Sequence, residues 1–279
     1  MQVGRTKINI IEDGKFLVDG GVLSGVAKTV WDAVAKADRQ NCIRLAMNIG
    51  LIETPDANIL IDTGMGAKHQ GELREACGAV GSKLVHRLHA YHNLAPRDID
   101  VVLLTQAESL HSGGATKFDR DGDSVAIFKK ARYLLQNASL EHAQATHDRF
   151  LGHFFESDID PLKDAEVLHN IEDEEEVIPG VTVHVKNGPS PGHLVVLMER
   201  GSERIIFAGD LIPTQYHLML DWNSAEADFT NETLKQKREL IEMATEDGWL
   251  IVFGHGNSCK SGYIRKKGSK AEFVPTELT

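Results

Sequence analysis

The sequence predicts a mixed α/β fold, and three observations predict it. Short apolar runs bounded by turn formers recur along the chain and read as buried or half-buried strands. Segments with helical spacing and recognisable stops lie between them. The third observation is the stretch Val101-Val-Leu-Leu-Thr-Gln-Ala-Glu-Ser-Leu-His-Ser-Gly-Gly114, whose branched apolar residues break into a polar loop ending in paired glycines. A strand that delivers Gln106, Glu108 and His111 off its end puts them where parallel-sheet proteins place their chemistry.

Taken in order, residues 2–11 alternate as a strand, Asp13-Gly14 predicts a turn, and 15–18 form a second strand. The segment 19–25 holds too much glycine for a regular element, whereas 26–37, which includes Trp31, is helical. Residues 44–53 and 58–64 are strands joined by a turn at Pro55-Asp56. A helix over 83–93 stops before Pro96 and leads into the strand at Val101. Residues 131–136 form a strand, and a helical stretch follows Ala138. Val181, Val183 and Val185 alternate with Thr182, His184 and Lys186, so this strand is half-buried and His184 points to solvent. Segments 193–198 and 204–207 pair through a tight hairpin at Gly201-Ser202 and run into Ala208-Gly-Asp210. From an N-cap at Thr230 or Asn231, Leu234, Leu240, Ile241 and Ala244 mark the apolar side of a helix that stops at Gly248. The strand 249–253 then delivers Gly254-His255-Gly256. No repeat, low-complexity linker or composition shift marks a boundary, so 1–279 reads as one domain.

The net charge of −11 disfavours nucleic acid and anionic membranes as partners, and part of the excess sits in the run Glu172–Glu176, a solvated turn. Three widely spaced cysteines, Cys42, Cys77 and Cys259, suggest neither a disulfide framework nor a metal knot. With no apolar span and no signal-like start, the expectation is a cytoplasmic protein acting on a small-molecule substrate or ligand, with a homodimer left open. His86, His89 and His92 spread around their helix, and His142, His147 and His153 do not stack on one face, so both sets read as polar surface.

The loop after Leu104 resembles the signature of the metallo-β-lactamase superfamily, Thr-His-x-His-x-Asp-His-x-Gly-Gly. Thr105, His111, Gly113 and Gly114 match it, while Gln106, Glu108 and Leu110 stand where two histidines and an aspartate belong. Asp62-Thr63-Gly64, Gly188-Pro-Ser-Pro-Gly-His193 and Phe207-Ala-Gly-Asp-Leu-Ile-Pro-Thr214 resemble further segments of the family, in the right order. The resemblance implies a four-layer αββα sandwich, closest to the lactonase-like and general hydrolase branch. It also implies that Asp62 braces the site without touching metal.

By the same resemblance, Asp210 matches the aspartate that bridges two metals and His255 matches a late histidine ligand. Pro189 occupies a ligand position, and His193 matches a histidine that does not ligate. One metal position is thereby depleted. The other keeps His111, Asp210 and His255, enough for a single zinc, iron or manganese ion. Glu108 is either a further ligand, as a glutamate is at this position in flavodiiron proteins, or a general acid or base. Tyr216 and His217 follow Asp210 closely enough to reach substrate, with His217 alternatively replacing a lost ligand. Leu23 and Trp31 line the substrate pocket or belong to the core, and Gln106 joins the substrate-binding set.

Two functional readings stand side by side. In the first, metal-activated water hydrolyses an ester, lactone or related bond. In the second, Asp210 takes hydrogen bonds from His111 and His255 without metal, and the protein is an inactive relative that binds a small molecule or protein partner. Redox chemistry at a single iron, as in the superfamily's persulfide dioxygenases, ranks below both because those enzymes use the depleted position.

Overall fold

Apolar alternation starts the fold, but non-local bonds decide where its strands end. The structure, a computed structural model, describes residues 1–3, 5–145, 153–267 and 270–278. It comprises two units: Met1–Phe16 with Met47–Asp173, and Leu17–Ala46 with Glu174–Thr279. β1 (Gln2–Val3) turns back on β2 (Thr6–Asp19), so the strand expected over 2–11 is a small hairpin. β2 also runs straight through the turn expected at Asp13-Gly14. The Asp13 carboxylate accepts from the backbone N–H groups of Ser82, Lys83 and Leu84 at 3.1, 2.6 and 2.8 Å instead of closing a turn on its own neighbours.

The glycine-rich segment after β2 is a helix, α1 (Gly20–Ser24), contrary to expectation. Its first turn is held by Asp19 Oδ1, which accepts from the N–H groups of Gly21 and Val22 at 2.8 and 3.2 Å, and this cap outweighs the poor propensity of glycine. Of the helix expected over 26–37 only α2 (Lys28–Trp31) forms.

The first unit continues through β3 (Cys42–Glu53), which enters it at Met47, then β4 (Asn58–Ile61), α3 (Gln70–Cys77), α4 (Leu84–His92), β5 (Val101–Leu103) and α5 (Ser109–Ser112). Beyond these lie β6 (Thr116–Phe118), β7 (Ser124–Ala126), β8 (Arg132–Gln136), α6 (Asn137–Gln144), α7 (Glu156–Asp164) and β9 (Leu168–Ile171). The main sheet runs β1-β2-β3-β4-β5-β8-β9, with β4, β5, β8 and β9 parallel. Parallel strands covered on both faces need continuous apolar side chains, and β5 is buried throughout. Leu51, Leu60, Val102, Phe128, Tyr133 and Leu135 lie in the core of this unit. His86 and His89 are exposed on α4, while His92 Nδ1 lies 3.4 Å from Glu53 Oε1. His142 meets the Phe154 ring edge-on, and His147 lies outside the described residues.

The second unit adds a sheet of β10 (Glu175–Ile178), β11 (Val181–Val185), β12 (Leu194–Arg200), β13 (Glu203–Phe207), β14 (Leu250–Val252), β15 (Ser261–Lys267) and β16 (Lys270–Pro275), hydrogen-bonded in chain order. Among the described residues β13 and β14 are the one parallel pair in this order, and they are joined through α8 (Thr230–Asp247), the kind of helical crossover a parallel pair requires. Ile206, Leu240, Ala244, Ile251 and Phe253 form its core. The N-cap of α8 is Phe229 rather than Thr230 or Asn231, and Thr233 Oγ1 donates back to the Phe229 carbonyl at 3.0 Å. His184 does not point freely to solvent: it is half-buried, its Nδ1 is 3.0 Å from Glu174 Oε2, and burial pulls its pKa below the ordinary histidine value. Among the described residues, no helix is long and apolar enough to cross a membrane.

Candidate functional site

In the first unit the loop after β5 is built around Asp62, at the end of β4. Asp62 Oδ1 accepts from the backbone N–H and hydroxyl of Thr105 at 2.7 and 2.9 Å, and Asp62 Oδ2 lies 2.9 Å from His111 Nδ1. The His111 carbonyl accepts from the Thr63 N–H and hydroxyl at 2.7 and 2.9 Å. This lacing explains the paired glycines. A Cβ at Gly113 would lie 2.4 Å from the Met65 carbonyl oxygen, and one at Gly114 would lie 2.1 Å from that of Thr63.

A buried ion pair holds the same loop from outside the motif. Lys68 Nζ lies 2.8 Å from Asp158 Oδ1 and donates to the Gly113 carbonyl at 2.8 Å and to Thr116 Oγ1 at 2.6 Å. Asp158 Oδ2 accepts from Ser109 Oγ at 2.8 Å. Burial pulls the Lys68 ammonium pKa down, and Asp158 acts in the opposite sense. Neither residue is flagged by spacing in the sequence, because the two are ninety positions apart, one in a turn and the other on α7.

Glu108, between Thr105 and His111, has its Oε1 3.1 Å from His153 Nδ1, and the Ser109 N–H donates to the His153 carbonyl at 2.8 Å. His153 is therefore an ion-pair partner rather than the plain polar surface expected of it. Gln106 is buried and Leu110 half-buried.

In the second unit Asp210 follows β13 through Gly209, whose φ of 51° is left-handed and whose added Cβ would stand 2.5 Å from His193 Nε2. The Asp210 N–H donates to His193 Nε2 at 2.9 Å, so His193 positions the backbone and carries its proton on Nδ1. His255 comes off β14. Its N–H donates to the Pro213 carbonyl at 2.9 Å, its Nδ1 meets the Ala46 carbonyl at 2.9 Å, and its Nε2 lies 2.9 Å from Asp210 Oδ1. Pro189, in the place of a ligand, offers its carbonyl to the Asp228 N–H at 3.0 Å.

His217 is enclosed between Thr214 Oγ1, 2.9 Å from its Nδ1, and the Leu23 carbonyl, 3.0 Å from its Nε2. Burial lowers its pKa from 6.5 to about 4. The Tyr216 ring lies 5.5 Å from that of the buried Trp222. Trp31 and Leu23 are 1% and 4% exposed, which places both side chains in the core of the fold.

The structure thus brings Asp210 together with His255, and His111 together with Asp62. His111 Nδ1 faces Asp62 Oδ2 and His255 Nδ1 faces the Ala46 carbonyl, an oxygen in each case, while His255 Nε2 faces Asp210 Oδ1. An imidazole whose Nδ1 is oriented by an oxygen is the usual arrangement of a histidine that binds metal. Two imidazoles and one carboxylate suit a divalent transition metal.

Comparison with known proteins points the same way. The family model described as the metallo-beta-lactamase superfamily matches residues 43–255. An N-acyl homoserine lactonase of Bacillus cereus is 23% identical over 235 residues, covering 77% of this chain and 83% of that protein. The crystal structure of a probable metal-dependent hydrolase from Staphylococcus aureus superposes with a TM-score of 0.89 at 26% identity, covering 99% of each chain. AidC, a dizinc quorum-quenching lactonase, shares the fold with a TM-score of 0.80 at 18% identity, over 99% of this chain and 96% of that one. The fold and the family model, which spans four separate motif segments, agree: the chain belongs to the metallo-β-lactamase superfamily.

Proposed function

We propose that the protein is a metal-dependent hydrolase acting on an ester, lactone or related bond, with one divalent ion held by His111, Asp210 and His255. The observation that carries this reading is the matched anchoring of the two imidazoles, each with Nδ1 on an oxygen acceptor, together with the Asp210 carboxylate at His255 Nε2. Support for the substrate class comes from the similarity to an N-acyl homoserine lactonase and to AidC. The reading of 1–279 as a single domain draws on the family model, whose matched span, residues 43–255, includes residues of both units.

A zinc, iron or manganese ion bound there supplies Lewis acidity and lowers the pKa of water toward neutrality. The chain's own residues do the rest. Asp62 and the Ala46 carbonyl fix the tautomers of His111 and His255. Glu108, oriented by His153, is the general acid or base. Gln106 and Tyr216 contact substrate, while Leu23, Trp31 and His217 support the substrate-binding surface from within the core.

A second reading, a metal-free relative that binds a small molecule or protein partner, is favoured by the direct approach of His255 Nε2 to Asp210 Oδ1 at 2.9 Å. Metal analysis after expression in zinc-, iron- or manganese-supplemented medium separates the two. The expected result is about one equivalent per chain, lost in His111→Ala and in His255→Ala, with a chelator-sensitive lactonase or esterase rate. Absence of bound transition metal, or a rate indifferent to chelator and to both substitutions, overturns the metal-dependent reading.

A further inference from the structure

Away from the residues considered so far, the first unit holds a serine against a histidine. His69 Nε2 lies 2.7 Å from Ser157 Oγ, and Glu72 Oε1 lies 3.8 Å from His69 Nδ1. We infer that Ser157 and His69 form a second, metal-independent nucleophilic site that accepts acyl groups from small activated esters. The motif is recognised by geometry rather than sequence order: a hydroxyl within hydrogen-bond reach of an imidazole whose other nitrogen faces a carboxylate. Glu72 is too far for a hydrogen bond in this conformation, and its side chain is 62% exposed, so it supplies attraction to an imidazolium rather than fixed orientation.

Orientation comes from the surroundings instead. The residues next in sequence, Lys68 and Asp158, are the buried ion pair described above, so both backbone segments are pinned one residue away from the serine and its base. The Ser157 carbonyl accepts from Thr116 Oγ1 at 2.8 Å and from Ser124 Oγ at 2.7 Å. The Phe155 ring stacks on the imidazole with centroids 3.7 Å apart and planes 12° from parallel, which sets the direction of Nε2. Such pre-organisation is what makes a nucleophile and base act together.

Ser157 and His69 are half-buried rather than sealed, and Phe118, 49% exposed and edge-on to His69 at 6.3 Å, extends an aromatic shelf beside them. That shelf suits a short apolar acyl group.

In the reaction, Ser157 Oγ bonds to the ester carbonyl carbon as its proton passes to His69 Nε2. The carbon–oxygen bond to the leaving group breaks, and that oxygen takes the proton from His69. Water then repeats the sequence on the acyl-serine, releasing a carboxylic acid and restoring the hydroxyl.

The test uses chelator-treated full-length protein, p-nitrophenyl acetate and a fluorophosphonate, with peptide mapping by mass spectrometry. The expected result is an acetyl or phosphonyl adduct on Ser157 of the wild-type chain, formed at least about tenfold more slowly in His69→Gln and at the wild-type rate in His255→Ala. Glu72→Gln slows it by a smaller factor. Ser157 left unmodified in wild-type protein overturns the inference without any variant having to fold. An adduct whose rate is unchanged in His69→Gln also overturns it, because the serine would then be merely exposed. Because metal is stripped and His255→Ala is included, failure here is distinguishable from failure of the metal-dependent reading.

Discussion

The two units brace their functional side chains by different means. In the first, carboxylates do it: Asp62 holds His111, and Asp158 holds Lys68. In the second, backbone carbonyls do it: Ala46 holds His255, Leu23 holds His217, and the buried Lys237 ammonium donates to the carbonyls of Met219 and Trp222. A carboxylate brace adds charge and is vulnerable to neutralisation of either partner. In the second unit burial depresses the pKa of His217 to about 4 and of Lys237 to about 8, with the Leu23 carbonyl and Asp221 acting in the opposite sense, and in the first it pulls down Lys68 against the Asp158 charge.

The sharpest way to break the comparison is to remove each buried lysine's charge. Lys68→Met strands Asp158 as a buried carboxylate and is expected to destabilise the protein by about 3–5 kcal/mol. Lys237→Met leaves the Met219 and Trp222 carbonyls without their donor and removes the attraction to Asp221, and is expected to cost about 1–3 kcal/mol. Urea denaturation of both variants checks the order, and equal losses would erase the distinction.

A smaller effect follows from His217, because its carbonyl partner does not keep it protonated. The unfolded chain takes up a proton near pH 6.5 while the buried imidazole stays neutral down to about 4, so between these values the unfolded state binds more protons. Stability therefore falls as pH drops through this window, by up to about 3 kcal/mol, and is unaffected by this group above it. Denaturation midpoints from pH 7 to pH 4.5 should show the decline, and His217→Gln should remove its share.

Smaller again is Asp62→Asn, which keeps the shape of the brace and deletes its charge. Loss of a partner of this kind typically weakens metal affinity by about 10–100-fold. Competition against a chromophoric chelator measures it. Unchanged affinity would mean that the first unit's carboxylate orients His111 no better than the neutral carbonyl orients His255.

Much of this was legible in the chain itself. Alternating valines gave β11, the Gly201-Ser202 pair gave the β12–β13 hairpin, and Gly248 stopped α8 as expected. The superfamily was readable from motif order despite altered ligand positions. Most of what escaped was decided by partners far away in sequence. Asp13 looked like a turn former, yet three amides near Leu84 claim its carboxylate. Asp19 overrode the glycines after it by capping them. The pairs Glu108–His153, Lys68–Asp158 and His69–Ser157 have no periodicity to betray them, since the partners in each come from remote parts of the chain.

The doublet Gly113-Gly114 carries a last consequence. Its requirement comes from main-chain oxygens of Met65 and Thr63 pressing against it, not from any reaction. A lineage can therefore exchange its coordinating side chains freely while the doublet stays, because a methyl group there would spring the loop open. In divergent members of such a family, paired glycines vouch for architecture, and only the neighbouring imidazoles speak for chemistry.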